Sequence, residues 1–141
     1  MREFLFRGKR TDCSEWLYGQ LIIDNDKAHH IYVFKQDILG DVISGLRYVN
    51  EDTVGQYTGL KDKNGTKIFE GDILRISIKD SDDKIEYKLG VVEFSTRSLE
   101  YIIRSKEGLV YGFNSILNSA GLYEFRLEVI GNIYKNRNLL K

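Results

Sequence analysis

The chain has no proline, one cysteine, two histidines and no net charge. Each shortage removes an option. Without proline no bend is set by a locked φ, so reversals must rely on glycine, asparagine and aspartate, and thirteen glycines are available for them. A lone cysteine, Cys13, excludes an internal disulfide and fits a reducing compartment. Twenty-one basic residues balance twenty-one acidic ones, so no global field draws the chain to DNA or to an anionic membrane. No apolar run approaches the roughly 20 residues of a membrane helix. The opening Met1-Arg2-Glu3-Phe4 has no apolar signal region. These features lead to the expectation of a soluble, cytoplasmic protein.

Hydrophobic residues make up 42% of the 141 positions, enough for a core in one domain or in two small lobes. The stretch Val54–Leu74 organises the rest. Asp62-Lys63-Asn64-Gly65 has hairpin chemistry, because an Asp side chain bonds backbone two residues on and Gly accepts positive φ. Glu70-Gly71-Asp72 reads as a second turn. A strand follows with Leu74, Ile76 and Ile78 on one face and Arg75, Ser77 and Lys79 on the other.

Earlier strands are expected at residues 4–7, 16–23 and 30–34. The segment Trp16–Ile23 has apolar residues on both faces and reads as buried from two sides. The pattern weakens over 35–50, where a loop or helical turn precedes a strand near 46–49, and Asp52-Thr53 leads out of the first half. After a charged tip at 79–83, a long strand spans 84–94. Its apolar phase changes near Gly90, which reads as a β-bulge. A hairpin joins 101–104 to 109–113, a short helix runs from Phe113 to Ala120 and stops at Gly121, and Phe125, Leu127, Val129 and Ile133 mark the last strand. Such strands with short polar tips suggest a small barrel over residues 54–134. No linker composition separates the halves, so they are expected to pack together.

Reactive constellations are sparse. Asp62, Asn64 and Glu70 invite a calcium reading, but an EF-hand loop counted from Asp62 places Lys67 where glycine belongs and Ile73 where the carboxylate belongs. Cys13 as a nucleophile sits beside Asp12, whose charge raises a thiol pKa, and the only bases of the right kind, His29 and His30, point to opposite sides of a strand. With Asp24 and Asp26 those histidines could form at most an incidental zinc site; a surface turn with solvated histidines is the expected arrangement. Neither a phosphate loop nor a dinucleotide fingerprint occurs. No cofactor, no metal and no catalytic residue is expected.

Three blocks carry a resemblance: Gly55-Gln56-Tyr57-Thr58-Gly59-Leu60-Lys61-Asp62-Lys63-Asn64-Gly65 with Ile68-Phe69-Glu70-Gly71-Asp72-Ile73; Phe6-Arg7-Gly8-Lys9 with Trp16-Leu17-Tyr18-Gly19; and Val129-Ile130-Gly131-Asn132-Ile133-Tyr134. Together they resemble the YopX family of phage and prophage proteins across nearly the whole chain. One departure is the tail Asn136–Leu140, which lacks a proline associated with that position. The resemblance implies phage or prophage origin and a mostly β fold with an SH3-like part. It brings no established activity and no catalytic residues.

Two contact functions remain. Small barrels bind single-stranded nucleic acid through exposed rings beside basic residues. Here Arg7, Lys9 and Arg10 near the start, with Lys135, Arg137 and Lys141 at the end, would form a basic patch if the termini meet, and Trp16, Tyr57 and Tyr111 could supply rings. The alternative is protein contact, above all self-association, because nine Tyr, seven Phe and one Trp are many rings for a short chain. The expectation is a mainly β protein in which an N-terminal β-rich lobe (residues 1–53), suited to oligomerisation, packs on a C-terminal SH3-like small barrel (54–141). It would serve as a non-enzymatic phage accessory protein that binds itself, or another host or phage protein, with nucleic-acid binding as the alternative.

Overall fold

The fold was obtained as a computed structural model that describes residues 3–36, 42–117 and 123–141. The mainly β expectation holds: ten strands account for most of the described residues, alongside a single five-residue helix and a terminal 3-10 turn. Among the described residues no helix is long and apolar enough to cross a membrane. The chain divides into two compact units, Met1–Gly59 and Leu60–Lys141.

The first unit holds β1 (Phe6–Arg10), β2 (Trp16–Ile23), β3 (His29–Gln36) and most of β4 (Val42–Lys61). β1 pairs with β2, β2 with β3 and β3 with β4, all antiparallel, and β4 also pairs with β1, so the four strands close into a circuit. One strand serves two partners because it bends. Its first part, Val42–Tyr48, lies against β3, while Val49, Asn50, Gly55 and Gln56 lie against β1. Arg7 faces Gly55 whereas Lys9 faces Asn50, leaving residues 51–54 as a bulge. Thr53 Oγ1 stitches the bulge by donating to the Asn50 carbonyl (2.7 Å) and accepting from the Lys9 N–H (2.8 Å). Asp52-Thr53, read from sequence as leading out of the first half, therefore lies inside a continuous strand. Ile31, Val49 and Tyr57 are buried in this unit. Among its described glycines the tightest approach is at Gly19, where a Cβ would sit 2.0 Å from the Tyr32 carbonyl oxygen.

The second unit holds β5 (Lys67–Phe69), β6 (Asp72–Lys79), β7 (Ile85–Ser95), β8 (Glu100–Ser105), β9 (Val110–Gly112), α1 (Phe113–Leu117) and β10 (Glu124–Asn132), followed by the 3-10 turn Arg137–Leu140. Five of these strands form an antiparallel sheet in the order β10-β6-β7-β8-β9. The core gathers Ile68, Leu74, Ile76, Val92, Tyr101, Ile103, Phe113 and Ile116, with Phe125, Leu127 and Val129 of β10 packed against them. The expected alternation on β6 and β10 is thus observed. The expected bulge at Gly90 is not: β7 keeps an unbroken register with β6 and with β8. Gly90 instead permits close packing, since a Cβ there would meet Ile103 Cγ2 at 2.5 Å and the Arg104 carbonyl oxygen at 2.9 Å. A register shift does occur in β10, between Val129 and Gly131. The apolar phase change along β7 has another meaning: its odd-numbered residues Ile85, Tyr87 and Leu89 lie on the outward face.

Four hairpin tips share one construction, which answers the absence of proline. At Asp24, Asp62 and Asp80 the carboxylate Oδ1 accepts backbone N–H bonds from the residues two and four positions on, at 2.8 to 3.0 Å. Ser105 Oγ accepts from Leu109 in the same manner at 3.1 Å. In each case the fourth residue adopts the left-handed conformation: Lys27 (φ 61°), Gly65 (81°), Asp83 (61°) and Gly108 (83°). This is a three-residue hairpin loop with a bulged closing residue, selected by an aspartate or serine at its start rather than by a fixed ring.

Candidate functional site

Two surfaces stand out, one on each unit. On the first, the outward positions of β2, β3 and β4 line up in rows. Ile22, His30 and Tyr48 form one row, and Gln20, Tyr32 and Leu46 the next, with Tyr18 beyond Gln20 on the same side. Tyr18, Ile22, Tyr32, Leu46 and Tyr48 are each between 36% and 60% exposed. With Ser44, these described outward positions include no Lys, Arg, Asp or Glu. The sequence reading buried Trp16–Ile23 from both sides; the structure corrects this, because only the inward side of the strand is covered. His30 is the buried exception in its row. Its Nε2 lies 2.9 Å from Asp24 Oδ2 and its ring centroid 4.3 Å from that of Tyr48, which fixes the tyrosine's base on the sheet. Asp24 is held below the usual carboxylate range by that His30 contact and then by backbone N–H groups of Ala28 and Asp26.

The second surface is the outward face of β6, β7 and β10, which encloses a concavity of about 340 Å³. β6 contributes Arg75, Ser77 and Lys79, β7 contributes Ile85 and Tyr87, β10 contributes Glu124 and Arg126, and Lys63 reaches in from the β4–β5 hairpin. Register makes the arrangement: Ser77 pairs with Tyr87 on one side and Arg126 on the other. The Arg75 guanidinium carbon lies 6.0 Å from the centroid of the Tyr87 ring. Arg75 and Lys63 converge on Glu128, whose carboxyl they hold below its ordinary range, Arg75 contributing most. Lys79 pairs with Asp83 at 2.6 Å and Arg126 with Glu124 at 2.8 Å.

The central signature is structural. Asp62 is buried, and burial pushes its carboxyl pKa up. The N–H groups of Val129, Thr66 and Asn64 outweigh that effect and hold it below the usual value. Its Oδ2 accepts from Val129 at 2.9 Å, tying the β4–β5 hairpin to β10. Both carboxylate oxygens are thus committed to backbone, which removes the residue a calcium loop would start from. Among the described residues no group of three or more His, Cys, Asp or Glu is placed to hold a metal ion. The solvated histidine turn is corrected too, since His30 is buried against Asp24 and Tyr48, while His29 Nδ1 stands 3.5 Å from Glu51. Cys13 is exposed in the loop between β1 and β2.

The six basic residues singled out from the sequence fall in different settings. Arg7 is buried, with its guanidinium carbon 5.0 Å from the Trp16 ring centroid. Lys9 is half-buried on β1, and Arg10 is clamped by Asp12 (2.6 Å) and Glu15 (3.3 Å). Lys135, Arg137 and Lys141 are exposed in the second unit's tail, where Arg137 Nε donates to the Ile133 carbonyl at 3.0 Å. Of the three rings offered with them, Tyr57 is buried. The sequence reading missed Tyr18, Tyr32 and Tyr48 as a set, and Tyr87 with Arg126. Alternation alone assigned each to a face; which face stays open depends on strand pairing.

A small, all-antiparallel protein with a signature built into its turns defines a class by fold rather than by chemistry. The chain matches the YopX protein family over residues 5–141 and belongs to it. Among solved structures it is similar to protein EF1440 from Enterococcus faecalis, with 26% identity and a TM-score of 0.56 over the whole of both chains. No match is found among curated proteins.

Proposed function

We propose that the protein is a non-enzymatic phage or prophage accessory protein that works by protein contact, first of all with copies of itself. The observation that carries this reading is the uncharged outward face of β2, β3 and β4. Its five exposed apolar and aromatic side chains offer on the order of 500 Å², more than half of the roughly 800 Å² that each partner covers in a standard interface. Tyrosine-rich, charge-poor patches suit the centre of such an interface. This assigns self-association to the N-terminal lobe of residues 1–53, within the host cytoplasm.

The body that would carry this lobe is read as an SH3-like barrel over 54–141. Two features support it: the order last, first, second, third, fourth among β6–β10, and the short helix α1 before the last strand. The terminal basic patch draws less support as a nucleic-acid surface, because Arg7 stacks on Trp16 and Arg10 is neutralised by two carboxylates.

Light scattering on the full chain tests the reading. The parent should be a dimer or larger at micromolar concentration. The double substitution Leu46→Lys, Tyr48→Glu should give a monomer with an unchanged circular-dichroism spectrum. A parent that is monomeric at tens of micromolar would defeat the proposal.

A further inference from the structure

We propose that the concavity on the outward face of β6, β7 and β10 is a nucleotide site, independent of self-association. The Tyr87 ring is 61% exposed, yet it is steadied from one side by the Arg75 guanidinium. A fixed, open ring flanked by a planar cation is the platform on which a base stacks. Ile85, two residues away on the same side, extends the apolar floor. Arg126 is two strands across from Tyr87 through Ser77, about 10 Å at the backbone, a span that a nucleotide and an extended arginine bridge from base to phosphate. Lys79 completes the cationic rim. A space of about 340 Å³ lies within the usual range for small-ligand sites.

The existing ion pairs favour exchange. Arg126 and Lys79 are bound to exposed carboxylates of Glu124 and Asp83, and pairs of that kind contribute little, so a phosphate readily takes their place. The shared chemistry is one base with one phosphate, supplied by a free mononucleotide or by one residue of a single strand.

The test uses the full chain at about 50 mM salt, a regime in which phosphate contacts are strong. The probes are cytidine monophosphate and a fluorescent twelve-nucleotide oligodeoxycytidylate followed by anisotropy. Binding should weaken steeply with salt. Tyr87→Ala should lose roughly 5- to 150-fold, the range for one stacked base, and Tyr87→Phe should retain affinity. Arg126→Ala should reduce the salt slope by about 0.7. Both positions are exposed, so circular dichroism should be unchanged. Equal affinity for the two probes assigns a free nucleotide as ligand; much tighter oligonucleotide binding assigns a single strand. No binding of either probe would overturn the proposal. So would a Tyr87→Ala variant that binds like the parent, or competition by orthophosphate as effective as that by cytidine monophosphate.

Discussion

Asp62→Asn isolates the signature turn. The amide keeps an oxygen for the Asn64 and Thr66 N–H groups, but its NH₂ then faces the Val129 N–H that Oδ2 accepts at 2.9 Å. A partly buried donor left without an acceptor costs about 1–3 kcal/mol, and exchanging charged for neutral acceptors at the other two bonds costs about 1 kcal/mol more. The expected loss at pH 7 is about 3 kcal/mol, or roughly 10–15 °C in Tm for a chain of this size.

The pH dependence has a definite sign. Asp62 is held below its ordinary pKa in the folded chain. Its contribution is therefore full above the unfolded value of about 3.9 and is lost as pH falls through the folded value. Asn does not titrate, so the gap between parent and variant should begin to narrow as pH falls below about 3.9. Urea denaturation followed by circular dichroism at pH 7, 5 and 3 measures the gap. A variant within about 0.5 kcal/mol of the parent at pH 7 falls inside the range of ordinary surface changes and would refute the reasoning. So would a gap as wide at pH 3 as at pH 7.

Further outcomes follow from backbone geometry. Leu99 is 77% exposed and sits at φ 56° in the turn between β7 and β8. Leu99→Gly should stabilise by about 0.5–1 kcal/mol, because relief of the left-handed strain exceeds glycine's entropy cost; calorimetry would show it as a raised Tm. Gly19→Ala drives a methyl into the Tyr32 carbonyl oxygen and should cost at least about 3 kcal/mol, read as loss of the cooperative transition. Removing the apolar face with Leu46→Lys and Tyr48→Glu should abolish self-association and, with it, the dependence of Tm on protein concentration that the parent shows. Truncating Tyr87 to alanine should weaken nucleotide binding roughly 5- to 150-fold without changing oligomeric size.

Much of the fold was legible because tight turns have local chemistry. Asp62-Lys63-Asn64-Gly65 and Lys106-Glu107-Gly108 announced their hairpins, and period-two alternation placed Leu74, Ile76, Phe125 and Leu127 inward. The failures are non-local. Strand β4 passes through Asp52-Thr53 because β1, more than 40 residues earlier, supplies the partner across the bulge. Gly90 looked like a register break because apolar residues occupy both phases of β7, and only pairing with β6 and β8 shows that Ile85 and Tyr87 point outward. The candidate surfaces were hidden for the same reason: alternation says which residues share a side, not whether another layer covers it.

The double pairing of β4 has a consequence during synthesis. β1 leaves the ribosome first and can zip onto β2 at once, but its other edge has no partner until Gly55 and Gln56 appear. At ordinary elongation rates that interval lasts about 2–10 s, long on the timescale of hairpin formation. For those seconds the nascent chain exposes an open strand bearing Arg7, Lys9 and Arg10, and three positive charges are a natural deterrent to premature pairing with a neighbouring chain.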